Sequence, residues 1–108
     1  MTWQLTATLL QYKQESDEDV HLIVQDSAGR KMIAELPSSA CVPTSSRWQA
    51  AIAGARASFT HTYTPTTSWH YVRRIVTLKG LALFDPPHGQ TGAGNGLELH
   101  PVTAVTFH

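Results

Sequence analysis

VHLIVQDSAGRKMIAEL, residues 20–36, is the stretch whose reading decides the fold. In its first half Val20, Leu22 and Val24 alternate with His21, Ile23 and Gln25. That two-residue period is what a strand shows when one face is buried and the other meets solvent. Asp26-Ser27-Ala28-Gly29 then has the Asp-first, Gly-last signature of a type I turn. Met32, Ala34 and Leu36 take up the alternation again. The segment therefore predicts two antiparallel strands joined by a tight turn, with one apolar face.

On the N-terminal side, KQESDED (residues 13–19) is a charged break that reads as a solvated turn. Asp17, Glu18 and Asp19 are adjacent and would point in different directions, and the spaced ligands and central glycine of an EF-hand loop are missing. Before it, Trp3, Leu5, Ala7 and Leu9 alternate with Gln4, Thr6 and Thr8, which predicts another half-buried strand. On the C-terminal side Pro37 ends the hairpin, and a connection with Cys41 and Pro43 follows. Ser46 and Gln49 have capping-box spacing, and Trp48, Ile52, Ala55 and Phe59 recur at helical spacing. A helix is expected there, with Arg47 and Arg56 as solvated charges off its stripe. THTYTPTTS (residues 60–68) reads as a threonine-rich linker.

A long strand is expected from Trp69 or His70 towards Phe84, with Tyr71, Arg73, Ile75, Thr77 and Lys79 on one face. Gly80 interrupts it and predicts a bulge or bend. The last strand is expected from Leu97 to Phe107, with Pro101 at an edge or a kink because it lacks the ladder donor. Three strands, one helix and two strands is the order of the oligonucleotide/oligosaccharide-binding (OB) fold. The expected class is thus mainly β: a small five-stranded OB-like Greek-key barrel, its one helix between strands 3 and 4. A β-sandwich or open sheet with one packed helix is the alternative.

At 108 residues the chain is expected to be a single domain, 1–108, with one modest core. Eight basic and eight acidic residues cancel, which argues against strong non-specific nucleic-acid binding. The lone Cys41 excludes an internal disulfide and a cysteine-rich zinc site, and reads as a small apolar residue. No apolar run approaches a membrane span, and the N-terminus lacks a signal-peptide layout. The chain as given reads as soluble and free of membrane, and a secreted origin would require a leader removed beforehand.

Most candidate chemistry falls in GLALFDPPHGQTGAGNGLELHPV, residues 80–102. Glu98 and His100 are two apart on an extended segment and should share a face. With His88 from the glycine loop they would make a three-ligand site for zinc, manganese or iron, a divalent cofactor with one position open to water. The competing reading is a structural polar network that pins the loop. Asp85, His88, Gln90 and Asn95 are the loop's candidate ligand contacts. The glycines do not make a phosphate loop, because the segment leads into a strand rather than a helix. Trp69, Tyr71 and Arg73 are a second candidate group, since flat rings and guanidinium planes stack on sugars and bases.

Residues 80–102 resemble a recurring bacterial block, FDxxHGQTG followed by NGxELHPV. DEDVHLIVQDSAGRKMIAELP (residues 17–37) and Ala55, Arg56 and Phe59 are similar to other parts of the same small, often secreted-looking proteins of no established activity. The resemblance implies that residues 80–102 act as one unit and implies no mechanism. A more distant likeness is to staphylococcal-nuclease-type OB domains, but none of their calcium-binding carboxylates and arginines maps onto this chain. Besides a stable scaffold or subunit with no small ligand, two functions remain open from the residues. One is a binding module for a glycan, a peptide or protein, or single-stranded nucleic acid. The other is a metal-dependent hydrolase centred on His88, Glu98 and His100.

Overall fold

The computed structural model describes residues 2–38, 48–84 and 97–108, with Phe84 described by its backbone alone. The elements are β1 (Thr2–Gln14), β2 (Val20–Gln25), β3 (Lys31–Leu36), α1 (Gln49–Thr62), β4 (His70–Phe84) and β5 (Leu97–Phe107). The strands close into a barrel in the order β1-β2-β3-β5-β4. All pairings are antiparallel except β3 with β5. This is the five-stranded OB-like barrel, with its helix between β3 and β4.

The β2–β3 hairpin forms in the register its turn dictates. Gln25 faces Lys31, and the ladder runs through Ile23 opposite Ile33 and His21 opposite Glu35. Asp26 fixes the turn: its Oδ1 accepts from the backbone amides of Ala28 and Arg30, and its Oδ2 accepts from Arg30 Nε at 2.8 Å. Gly29 takes a φ of +85°, where a side chain would be strained. Val20, Leu22, Val24, Ala34 and Leu36 all enter the core.

β1 is longer than its alternation suggests. A register shift between Leu9 and Gln11 changes which parity faces inward, so Ala7 and Leu9 are buried before it and Tyr12 after it. The strand therefore runs on to Gln14, through the first residues of the charged break. Trp3, expected inside with Leu5, is among the exposed large side chains. In β4 Gly80 has the role expected of it. A Cβ there would lie 2.6 Å from the Pro101 carbonyl oxygen, and the β4–β5 register shifts on both sides of it. Pro101 itself follows a cis peptide bond inside β5.

The described helix starts at Gln49 with Trp48 as N-cap, and Ser46 of the expected Ser46–Gln49 capping box lies outside the described residues. At the other end it runs through Thr60, His61 and Thr62, which the threonine-rich composition had assigned to the linker. Thr60 Oγ1 donates back to the Arg56 carbonyl at 3.0 Å, so the hydroxyl has a partner within the helix. Ile52, Ala55 and Phe59 are its buried stripe. Arg56, expected as a solvated charge, is half-buried and donates through Nη1 to the Leu36 carbonyl, tying α1 to the end of β3. Phe59 is fully buried and meets Tyr12, Tyr63 and Phe107 at ring-centre distances of 5.2, 5.7 and 6.0 Å.

Candidate functional site

The barrel turns every second residue of β2, β3 and β5 away from the core. On β2 and β3 these are His21, Ile23, Ile33 and Glu35, and Glu98 lies opposite Ile33 in the parallel ladder. Ile23, Ile33 and Glu98 are nevertheless buried, so this outer surface is not an ordinary solvated face. Glu35 is at its centre, with a side chain only 11 % exposed.

Both oxygens of Glu35 are used. Oε1 pairs with His21 Nε2, and Oε2 lies 2.9 Å from Nδ1 of His100 on β5. His21 reaches through its other nitrogen to Glu15 Oε1 at 3.4 Å, and Glu15 lies 3.7 Å from Lys13 Nζ. Lys13 in turn sits 5.0 Å from the Trp69 ring centre. The result is one connected polar band across β1, β2, β3 and β5, with a carboxylate between two imidazoles as its most enclosed part. Asp19, at the entry to β2, adjoins it. Its Oδ1 accepts from the Ser38 amide at 2.9 Å, and its carboxylate, that of Glu35 and the His100 ring offer donor atoms all within 4.8 Å of one another.

These contacts determine the ionisation. Burial by itself would raise the Glu35 carboxyl, but hydrogen bonds from His100 and His21, with their charges, overcome it and hold the group at about 2. The hydrogen bond to Glu35 raises His21 above its ordinary 6.5 against the opposing effect of burial, and the charges of Glu35, Glu15 and Glu98 add to the rise. His100 rises for the same first reason, again against burial, with further help from Glu35, Glu98 and Asp19. Four carboxylates thus gather around two imidazoles in a chain whose formal charges cancel overall. The site is locally acidic.

Of the residues expected to carry chemistry, His100 and Glu98 are brought to this surface. Asp85, His88, Gln90 and Asn95 lie outside the described residues, as does Cys41. The carboxylate that His100 meets is Glu35, a residue the chain's local pattern does not single out. Trp69 borders the band through Lys13, whereas Tyr71 and Arg73 point outward from β4, Tyr71 being 73 % exposed. Asp19 corrects the reading of residues 13–19 as a plain solvated turn. Asp17 and Glu18 are exposed, but Asp19 binds the Ser38 amide beside Glu35. His21, Glu35 and Asp19 are the functional candidates that local reading missed. For the first two a signal existed: the Asp26–Gly29 turn sets the hairpin register, and that register puts His21 opposite Glu35.

A separate cleft of about 300 Å³ opens between the start of β1 and the β2–β3 turn, lined by Trp3, Leu5, Met32 and Leu97 with Arg30 and Lys31. Among the described residues no helix is long and apolar enough to cross a membrane. No protein-family model matches the chain, and none of the curated proteins searched matches it either.

Proposed function

We propose that the protein is a small binding module that takes its ligand at the partly exposed imidazoles of His21 and His100, which flank Glu35 on the outer side of β2, β3 and β5. The observation that carries this reading is the His21–Glu35–His100 arrangement. Enclosing an ionised carboxylate and two imidazoles on the outer side of a barrel costs desolvation that the core does not need, and such groups concentrate at functional sites. In OB barrels the surface of strands 2 and 3 and the loops beside it are where oligomeric ligands lie. Trp69 supplies a ring for stacking at the edge of the same band. A glycan or a peptide suits this surface better than nucleic acid, because the carboxylates repel phosphates. The resemblance of residues 17–37 and 80–102 to one group of small bacterial proteins fits this reading, since His21 and Glu35 come from the first block and Glu98 and His100 from the second.

Glycan and peptide arrays, followed by NMR titration of the hits, test the reading. Bound ligands should move the side-chain signals of His21 and His100 and lose affinity in Glu35→Gln, while Tyr71→Ala binds as the wild type does. Hits that move only β4 signals, or no hits on any array, would remove it. A metal-dependent hydrolase centred on His88, Glu98 and His100 is the second reading. It draws on the donor atoms that converge at His100, and a screen of esters and phosphoesters with added zinc or manganese tests it.

A further inference from the structure

We propose that Asp19, Glu35 and His100 form a binding site for one divalent transition-metal ion, through which the ligand face takes hold of oxygen groups on its ligand. The second half of that statement rests on the binding-module reading; the first does not. The three residues come from three parts of the chain that only the barrel unites: the entry to β2, the fifth residue of β3, and β5. Their donor atoms lie within 4.8 Å of one another. A tetrahedral ion with bonds of about 2.0–2.2 Å holds its donors roughly 3.4 Å apart, so small side-chain rotations close the site.

The donor chemistry narrows the ion. One imidazole with two carboxylates suits zinc, manganese or ferrous iron, whereas calcium and magnesium prefer oxygen throughout. Supporting contacts are already in place. The Ser38 amide holds Asp19 by one oxygen, and a carboxylate anchored in this way still ligates through the other. His21 holds Glu35 by Oε1, leaving Oε2, now 2.9 Å from His100 Nδ1, to turn with that nitrogen towards an ion. Charge favours a dication as well. Glu15, Asp19, Glu35 and Glu98, four of the chain's eight acidic side chains, gather here, and an ion that takes the place of the His100 proton meets their negative charge. Three protein ligands leave a coordination position that a hydroxyl or carbonyl oxygen of a bound ligand can fill.

The experiment is calorimetric titration of tag-free, chelator-stripped protein with zinc and manganese chlorides, with elemental analysis after gel filtration. NMR of the imidazole nitrogens runs alongside on the wild type. The expected result is one ion per chain, a shift of the His100 Nδ1 signal on binding, and a loss of at least about tenfold in affinity for folded Asp19→Asn and His100→Gln. The NMR readout stands even where a variant fails to fold. No uptake, or uptake that leaves His100 Nδ1 unmoved while His61, His70 or His108 shifts, would overturn the site. Array ligands that bind the stripped protein at Glu35 as tightly as the metal-loaded one would overturn the metal's role while leaving the binding module intact. Metal bound at His100 with no array ligand under any condition would overturn the binding module and the metal's role in it, and leave the metal site standing.

Discussion

Two enclosed regions of this barrel are built on opposite principles. Where α1 meets the strands, Tyr12, Phe59, Tyr63 and Phe107 pack ring against ring, and His70 stacks on Tyr12 at 5.1 Å. Across β2, β3 and β5 the enclosed groups are a carboxylate and two imidazoles. Aromatic packing draws mainly on excluding water and on ring geometry, so its contribution depends little on pH. The ionic group recovers its desolvation cost only while its protons and hydrogen bonds are all in place, which ties its contribution to pH. A fold of this size can rest its stability on the first region and leave the second to respond to solution conditions and to ligands.

Substitutions can break that contrast. Phe59→Ala should have the largest effect, about 3–5 kcal/mol lost in chemical denaturation, because it empties the centre of the aromatic cluster. The loss should be the same at pH 5.5 and pH 8. A loss that varies with pH would mean that the two regions are coupled.

Glu35→Gln should cost less, about 1–2 kcal/mol, since the flanking imidazoles are partly exposed and solvent screens them. It should also return His21 and His100 towards the ordinary imidazole value, measured by NMR titration. Unchanged histidine titration would show that Glu35 does not control them.

The pH dependence of the wild type follows in sign. Glu35 is depressed from 4.5 to about 2, so its contribution is present above pH 4.5 and is lost as pH falls towards 2. His21 and His100 are raised, so theirs is complete below 6.5 and is lost as pH climbs through their folded values. Both limbs describe the same ion pairs and are not added. In metal-free protein this group should support the fold most between pH 4.5 and 6.5. A melting-temperature profile against pH, flattened in Glu35→Gln, checks this. An equally curved profile in the variant would assign the dependence elsewhere.

The smallest effect sharpens the contrast. Tyr71→Ala, at a side chain 73 % exposed, should change stability by under about 0.5 kcal/mol. A larger loss would show that the outer face of β4 carries packing of its own.

The chain's local patterns determined much of this. The Asp26–Gly29 turn, the alternation through residues 20–36 and the period of Ile52, Ala55 and Phe59 specify hairpin and helix, because hydrogen-bond geometry and side-chain period are properties of a few neighbouring residues. The β-helix-β order, with Gly80 as the bend, was enough for the barrel. The end of α1 was not legible, since Thr60–Thr62 have weak helix propensity and the helix extends over them all the same. The site was half legible. Glu98 and His100 stood out as neighbours on one strand, and the hairpin register implied His21 opposite Glu35. What only the tertiary structure decided is that the parallel β3–β5 ladder sets His100 against Glu35 and that the entry to β2 delivers Asp19 to them. These meetings join residues 16 to 81 positions apart, and no local period encodes which strand edge a closing barrel will pair with which.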